Sequence, residues 1–376
     1  MEKDANRIVF LDWLRVIACL MVIMVHSTEP FYLGGEGTQI LCRENGIWST
    51  LIDSALRACV PLFIMTSSYL LFPLKDSTGH FFRRRFTRVG IPLLVWIILY
   101  AVIPLPGSDL GSYSPLLNLR HSVLNFPDSA GHLWFGYMIL GVYLIIPILS
   151  PWVKTISKKE EQLWLGLWLF TTTLPFLRKL AASWFGLPEV WGECNWNEFG
   201  TFYYVSGFAG YVLLGHYIKT HVGELSWKKT LSIAVPLWIV GYAIVAGWFW
   251  AAMPKDFPVN EPISLGVHME TSWRFCSTGV ALTTIAYFLI AKKFTSDGKF
   301  YRKVVVPASK VSYGVYLMHI FVLSAAVPLF QKVFSSMATM AATPLTIVCA
   351  AISTFLVCMP LSKLISLIPG GKYIVG

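Results

Sequence analysis

The chain has 376 residues, 55% of them hydrophobic, with 30 Lys and Arg against 20 Asp and Glu and a net charge of +10. Only 13% are charged, against about 25% in an average soluble domain, and the mean hydropathy is +0.61. Disorder, collagen, a disulfide scaffold and an ordinary cytosolic enzyme are excluded. A pI near 9.2 suits nucleic-acid binding, but a membrane protein has a simpler use for the same charge.

Ten apolar stretches approach or exceed the roughly 20 residues that a membrane helix needs. In chain order they are 8–26, 47–72, 89–105, 132–153 and 162–176, then 199–218, 230–252, 273–291, 311–331 and 343–368. The fifth is the shortest. The first does not read as a cleavable signal peptide: it carries Asp12 and Arg15, and no small-residue cleavage pattern follows it. The connecting segments alternate in charge. Those on the N-terminal side of the membrane, with Lys3, Arg7 and the Arg83, Arg84, Arg85 run among them, sum to +13. The opposite side sums to −5 and the spans to +2. The positive-inside rule then puts both termini in the cytoplasm. No repeat or low-complexity tract stands out, and no loop exceeds about 26 residues. The expected fold is an all-α integral membrane protein of about ten transmembrane helices, with residues 1–376 as one membrane domain and no separate soluble domain.

Of seven cysteines, Cys19, Cys59, Cys276, Cys349 and Cys358 fall in or near spans and read as packing residues. Cys42 and Cys194 fall in outward loops, where a disulfide or two unpaired thiols are both open.

A charged side chain at mid-membrane costs about 2.5–3.5 kcal/mol on insertion scales, so intramembrane polar residues mark function by default. In the first span Asp12, Arg15, Cys19, Val22 and His26 are spaced 3, 4, 3 and 4 apart and share one helix face. Arg15 and His26 lie about 16 Å apart along the axis. A polar stripe of that length belongs against the bundle interior. Asp12 and Arg15 also read as an interfacial i, i+3 pair, and His26 as a histidine wetted by headgroups. Asp53 and Arg57 form an i, i+4 pair that can neutralise itself. His319, eight residues into the ninth span, needs a polar partner or an aqueous cavity. His132 opens the fourth span beside Trp134, where an aromatic belt explains it equally. Arg85 and Arg88 share a face if a helix begins there, and guanidinium forks suit phosphate oxygens; a positive-inside cluster accounts for them as well. No His or Cys spacing resembles a metal motif, and no metal is expected.

Together these pieces resemble the acyltransferase 3 family of integral membrane acyltransferases. Arg15 and His26 fit its Arg-x10-His signature in the first helix. Val60-Pro61-Leu62-Phe63-Ile64-Met65-Thr66-Ser67-Ser68-Tyr69-Leu70 looks like its P-L-F-F-x-x-S-G-[FY]-L segment, and Arg85-x-x-Arg88 before Pro92 like its R-x-x-R motif. His132-Leu133-Trp134-Phe135 and Ser312-Tyr313-x-x-Tyr316-Leu317-x-His319 resemble its later landmarks. Thr201-Phe202-Tyr203-Tyr204 and the lack of a C-terminal domain are most similar to the stand-alone O-acetyltransferases of enterobacterial common antigen type. Ser68 departs from the pattern, standing where the family usually has Gly; a side chain there narrows a close helix contact or an acyl channel.

The resemblance implies transfer of an acyl group, usually acetyl from acetyl-CoA, to a hydroxyl of an extracytoplasmic glycan at the bacterial inner membrane. It implies catalytic roles for His26, as general base, and for Arg15 and His319. Arg85 and Arg88 would bind the donor, and Asp12, Ser67, Tyr69, His132, Trp134, Tyr313 and Tyr316 would line the substrates. The expected partners are acyl-CoA, a glycan or lipid-linked sugar, and membrane lipid, with no nucleic acid. The alternatives are a different acyl group such as succinyl, a transporter or flippase for a lipid-linked sugar or small solute, and a non-catalytic sensor or assembly partner.

Overall fold

The computed structural model describes residues 7–34, 37–109, 113–187, 189–197 and 199–376, and Lys3 lies outside them. The helices in chain order are α1 Val9–Thr28, α2 Arg43–Leu56, α3 Cys59–Leu71, α4 Thr78–Arg85, α5 Ile91–Val102 and α6 Pro115–Ser122. They continue with α7 Trp134–Val153, α8 Lys158–Thr171, α9 Leu174–Phe185, α10 Ala209–His221 and α11 Trp227–Ala252. The last five are α12 Ile263–Met269, α13 Thr278–Ala291, α14 Val306–Val333, α15 Thr339–Leu367 and α16 Lys372–Val375.

Among the described residues seven helices are long and apolar enough to cross a membrane, or eight if the bent pair Ile263–Trp273 and Thr278–Ala291 is one span. The expected spans at 162–176 and 199–218 take another form. The first is broken at Thr172 and Thr173, where Pro175 opens a new helix, leaving α8 at 14 residues and α9 at 12. In the second, a short 3-10 turn ends at Val205, and Gly207, with a positive φ of 81°, separates it from the 13 residues of α10. Fourteen residues reach only about 21 Å, short of a 30 Å hydrocarbon core. The protein is a multi-pass helical membrane protein with fewer long spans than apolar composition suggests.

The chain divides into two compact units. The first comprises Met1–Glu29, Asp76–Pro147 and Ser296–Gly376. Here α1 packs against α14 and α15, and α16 against α5. α1 and α14 run in the same direction, since Asp12 meets Ser309, Cys19 meets Ser312 and His26 meets His319. α14 and α15 close on a small-residue seam: a Cβ on Gly314 would press on Ser362 Oγ and Val375, and Ser362 Oγ donates to the Val311 carbonyl at 3.2 Å.

Two π turns precede long helices of this unit, Phe86–Gly90 before α5 and Tyr301–Val305 before α14. Both have the same cause. Pro92 and Pro307 have no N–H, and their rings crowd the carbonyl four residues back. The preceding turn widens, so that the Ile91 and Val306 N–H groups donate five residues back, to the Phe86 and Tyr301 carbonyls.

The second unit comprises Pro30–Lys75 and Ile148–Thr295. α11 and α13 meet at Gly241 and Gly279, where a Cβ on either would lie 2.7 Å from the other's carbonyl oxygen. Asp53 and Arg57 are buried together, with Nη2 to Oδ2 at 2.8 Å and the guanidinium 4.4 Å over the Trp273 ring. The expectation of a wholly helical fold needs one correction. Leu33–Gly34, Gly37–Ile40 and Val259–Pro262 form a small antiparallel sheet, β1 to β3 in that order. Gly37 makes the pairing possible, because a Cβ there would collide with the backbone of Glu261 and Pro262. Cys42 and Cys194 are both free thiols, so the disulfide alternative falls.

The seam at Gly314 yields a stability test. Gly314→Val should destabilise the protein by about 1–3 kcal/mol through overpacking, seen as earlier thermal unfolding in detergent; an unchanged transition would mean that the seam is looser than described.

Candidate active site

Three histidines that are far apart in sequence come together in the first unit. His26 ends the polar stripe of α1, His132 lies in the 3-10 turn before α7, and His319 is on α14. Ring centres are 4.9 Å apart for His132 and His319, 5.2 Å for His26 and His319, and 6.2 Å for His26 and His132. His319 is 0% and His132 5% exposed, while the His26 side chain keeps 17%. His26 is thus the member that a substrate can reach.

The acceptors around the rings set their tautomers. His26 Nδ1 lies 2.9 Å from Glu29 Oε1, and a carboxylate can only accept, so Nδ1 carries the proton and Nε2 keeps its lone pair. His319 Nδ1 donates to the Tyr316 carbonyl at 2.6 Å, and His132 Nε2 to the Leu317 carbonyl at 3.4 Å. The remaining nitrogens, His319 Nε2 and His132 Nδ1, have no hydrogen-bond partner among the described residues. Three imidazoles therefore share one cluster, and the two buried rings each keep a nitrogen with no protein donor among the described residues. Aromatic rings wall it. Tyr100 packs edge-on to His132 at 5.1 Å and stacks on Phe321 at 4.3 Å, with its hydroxyl on the Leu317 carbonyl.

Glu29 escaped the reading of the sequence. Its i, i+3 spacing from His26 was a usable signal, but the first apolar stretch stops at His26 and leaves Glu29 to the loop. α1 in fact continues to Thr28, with a 3-10 turn Glu29–Phe31 after it.

The inner half of the stripe is organised by Asp12. Its carboxylate accepts from Arg7 Nε and Nη2 at 2.9 and 2.7 Å, from Arg15 Nη1 at 3.2 Å, from Tyr301 at 2.8 Å and from Ser309 at 2.6 Å. Both oxygens are engaged, so Asp12 orients Arg15 and anchors α14. Tyr316 and Tyr313 spend their hydroxyls on the carbonyls of His132 and Val89, at 2.7 and 2.8 Å. Trp134 packs edge-on to Phe135 at 6.4 Å. Ser67 and Tyr69 belong to the second unit, on α3, where the Tyr69 ring lies 6.1 Å from Phe288 and 5.6 Å from the Lys219 ammonium. Ser68 is also there: its Oγ donates to the Val212 carbonyl at 2.6 Å, and Gly215 opposite leaves the room it needs.

The expectation that Arg85 and Arg88 share a face is corrected by the π turn. The extra residue in that turn rotates the helix register between them. Arg88 lines an open cleft of about 450 Å³ with His80, Arg83 and Arg84, whereas Arg85 turns toward Phe81, at 5.9 Å, and leaves its Nε without a hydrogen-bond partner among the described residues. No group of three or more His, Cys, Asp or Glu suited to a metal ion occurs among the described residues.

The acyltransferase domain of the acyltransferase 3 type matches residues 8–363. The chain belongs to this family. No curated protein and no solved structure matches it. The match runs through both units, from α1 into the last turns of α15, and makes the protein a membrane acyltransferase. Within that activity, the histidine–carboxylate pair has the arrangement of a general base held by an orienting acid.

The pair can be tested directly. Glu29→Gln should lower the turnover of acyl transfer by about 10²- to 10⁴-fold with little change in thermal stability, because Glu29 is partly exposed. Undiminished turnover would leave Glu29 as a surface residue only.

Proposed function

We propose that the protein moves an acetyl group from cytoplasmic acetyl-CoA to a hydroxyl of an extracytoplasmic or lipid-linked glycan. We place it in the inner membrane of a bacterium with both termini inside, as an enzyme of the enterobacterial common antigen type. The observation that carries this reading is the accessible His26–Glu29 pair, in a chain of an acyltransferase family.

In this reading the basic cleft faces the cytoplasm and takes the anionic end of the donor, with Arg88 on a phosphate and Arg85 behind it. Arg15, held by Asp12, lies along the path from that cleft and neutralises charge that develops on the thioester carbonyl oxygen. His26 Nε2 removes the proton of the acceptor hydroxyl as its oxygen bonds to the carbonyl carbon. The carbon–sulfur bond then breaks, and His26 returns the proton to the leaving CoA sulfur. Glu29 stabilises the imidazolium between these steps, and the buried rings of His319 and His132 pack behind His26 and hold its place. The walls of Tyr100, Phe321 and Tyr316 restrict solvent around the cluster. Trp134 and Tyr316 line the acceptor side.

Purified protein in nanodiscs, supplied with radiolabelled acetyl-CoA and membrane glycan, tests the proposal. His26→Ala should abolish acetyl transfer while membrane expression stays near wild type; full activity in that variant would sink the proposed role. Arg88→Ala should weaken acetyl-CoA binding, and an unchanged affinity would return Arg88 to a purely topological function.

A further inference from the structure

The four-residue helix α16, Lys372–Val375, is held firmly. Trp96 Nε1 on α5 donates to the Ile374 carbonyl at 2.8 Å, and Val375 is buried. Such anchoring sets the two residues before them. Lys372 and Tyr373 line the same cleft as Arg83, Arg84 and Arg88, across a gap of nearly 290 residues in sequence. Lys372 Nζ lies 4.9 Å from the centre of the Tyr373 ring, and that ring remains 40% exposed.

Four cations therefore border one cleft. Among the described residues only Arg84 of these has a carboxylate partner, Asp76 at 3.5 Å. The cleft's volume of about 450 Å³ falls within the ~300–1,000 Å³ of small-ligand sites. It suits a nucleotide and is too small for a long acyl donor entire. A lipid headgroup shares the phosphate chemistry. The exposed ring beside the cations favours a nucleotide, because a base has a face to stack on an aromatic side chain.

We infer that α16 forms the second wall of a nucleotide–phosphate subsite, in which Lys372 meets a phosphate group and the Tyr373 ring stacks on the base of the acyl donor. This deepens the donor assignment and rests on acetyl-CoA being the donor. α16 thereby makes the cleft selective for the nucleotide end of the donor, beyond its general attraction for anions.

The test uses the full chain in nanodiscs of zwitterionic lipid, with acetyl-CoA and adenosine 3′,5′-bisphosphate as probes. Lys372→Ala and Tyr373→Ala should each weaken both ligands by about tenfold, whereas Lys372→Arg and Tyr373→Phe should retain wild-type affinity. Acetyl-CoA binding that is strong in the wild type and unchanged in both alanine variants overturns the subsite and leaves the donor assignment standing. A wild type that binds no acetyl-CoA overturns the donor assignment and the subsite with it. Repeating the titration with phosphatidylglycerol in the disc separates the sources. If Lys372→Ala changes lipid retention but not nucleotide affinity, the cleft is a headgroup site and the inference fails.

Discussion

A carboxylate inside an apolar helix bundle is tolerated only when its oxygens are satisfied, and Asp12 meets that demand by drawing on three separate parts of the first unit. Arg7 and Arg15 come from its own end of the chain, Tyr301 from the π turn and Ser309 from the start of α14. These bonds lock α1 and α14 side by side in one register. A slip of one helical turn, about 5.4 Å, would orphan the carboxylate. The same slip would part His26 from His319. Asp12, which reads in the sequence as an interfacial pair with Arg15 or a member of the polar stripe, is thus the pin that aligns the histidines.

Proline acts as the second organiser. Pro92 and Pro307 each force a π turn at the basic end of a long helix. At the first, Arg88 is swung to the cleft and Arg85 toward Phe81. At the second, Tyr301 is brought to Asp12. One chemical defect, a missing N–H, thereby shapes both the proposed donor end and the anchor of the polar stripe.

Two near-neighbour ion pairs show how far spacing can be read. Asp12 with Arg15 and Asp53 with Arg57 look alike in sequence, as acid and base one turn apart. Asp53 and Arg57 close on each other beneath Trp273, with the guanidinium spent on the carboxylate and the ring. Arg15 gives Asp12 only one bond, at 3.2 Å, because Asp12 is already saturated by others. Helical periodicity states that two residues are neighbours; it carries no information on who else competes for them. Ser68 makes the same point. Its departure from the family glycine is absorbed by Gly215 on α10, 147 residues away, so the small residue has moved across the contact.

The sequence by itself determined the membrane class, the stripe from Asp12 to His26 and the family, because apolar length, 3.6-residue periodicity and short motifs are local properties. Tertiary structure decided which histidines meet, since His26, His132 and His319 are joined by packing between elements more than a hundred residues apart. It also supplied Glu29, by carrying the helical geometry past the end of the apolar stretch, and divided Arg85 from Arg88 through a widened turn. The number of long spans fell below the apolar count for a related reason: hydropathy records whether a segment tolerates lipid, but Pro175 and Gly207 govern how much of it stays one helix. The net charge of +10 is legible at once, whereas the cleft that gathers part of it needs α16 folded back on Trp96.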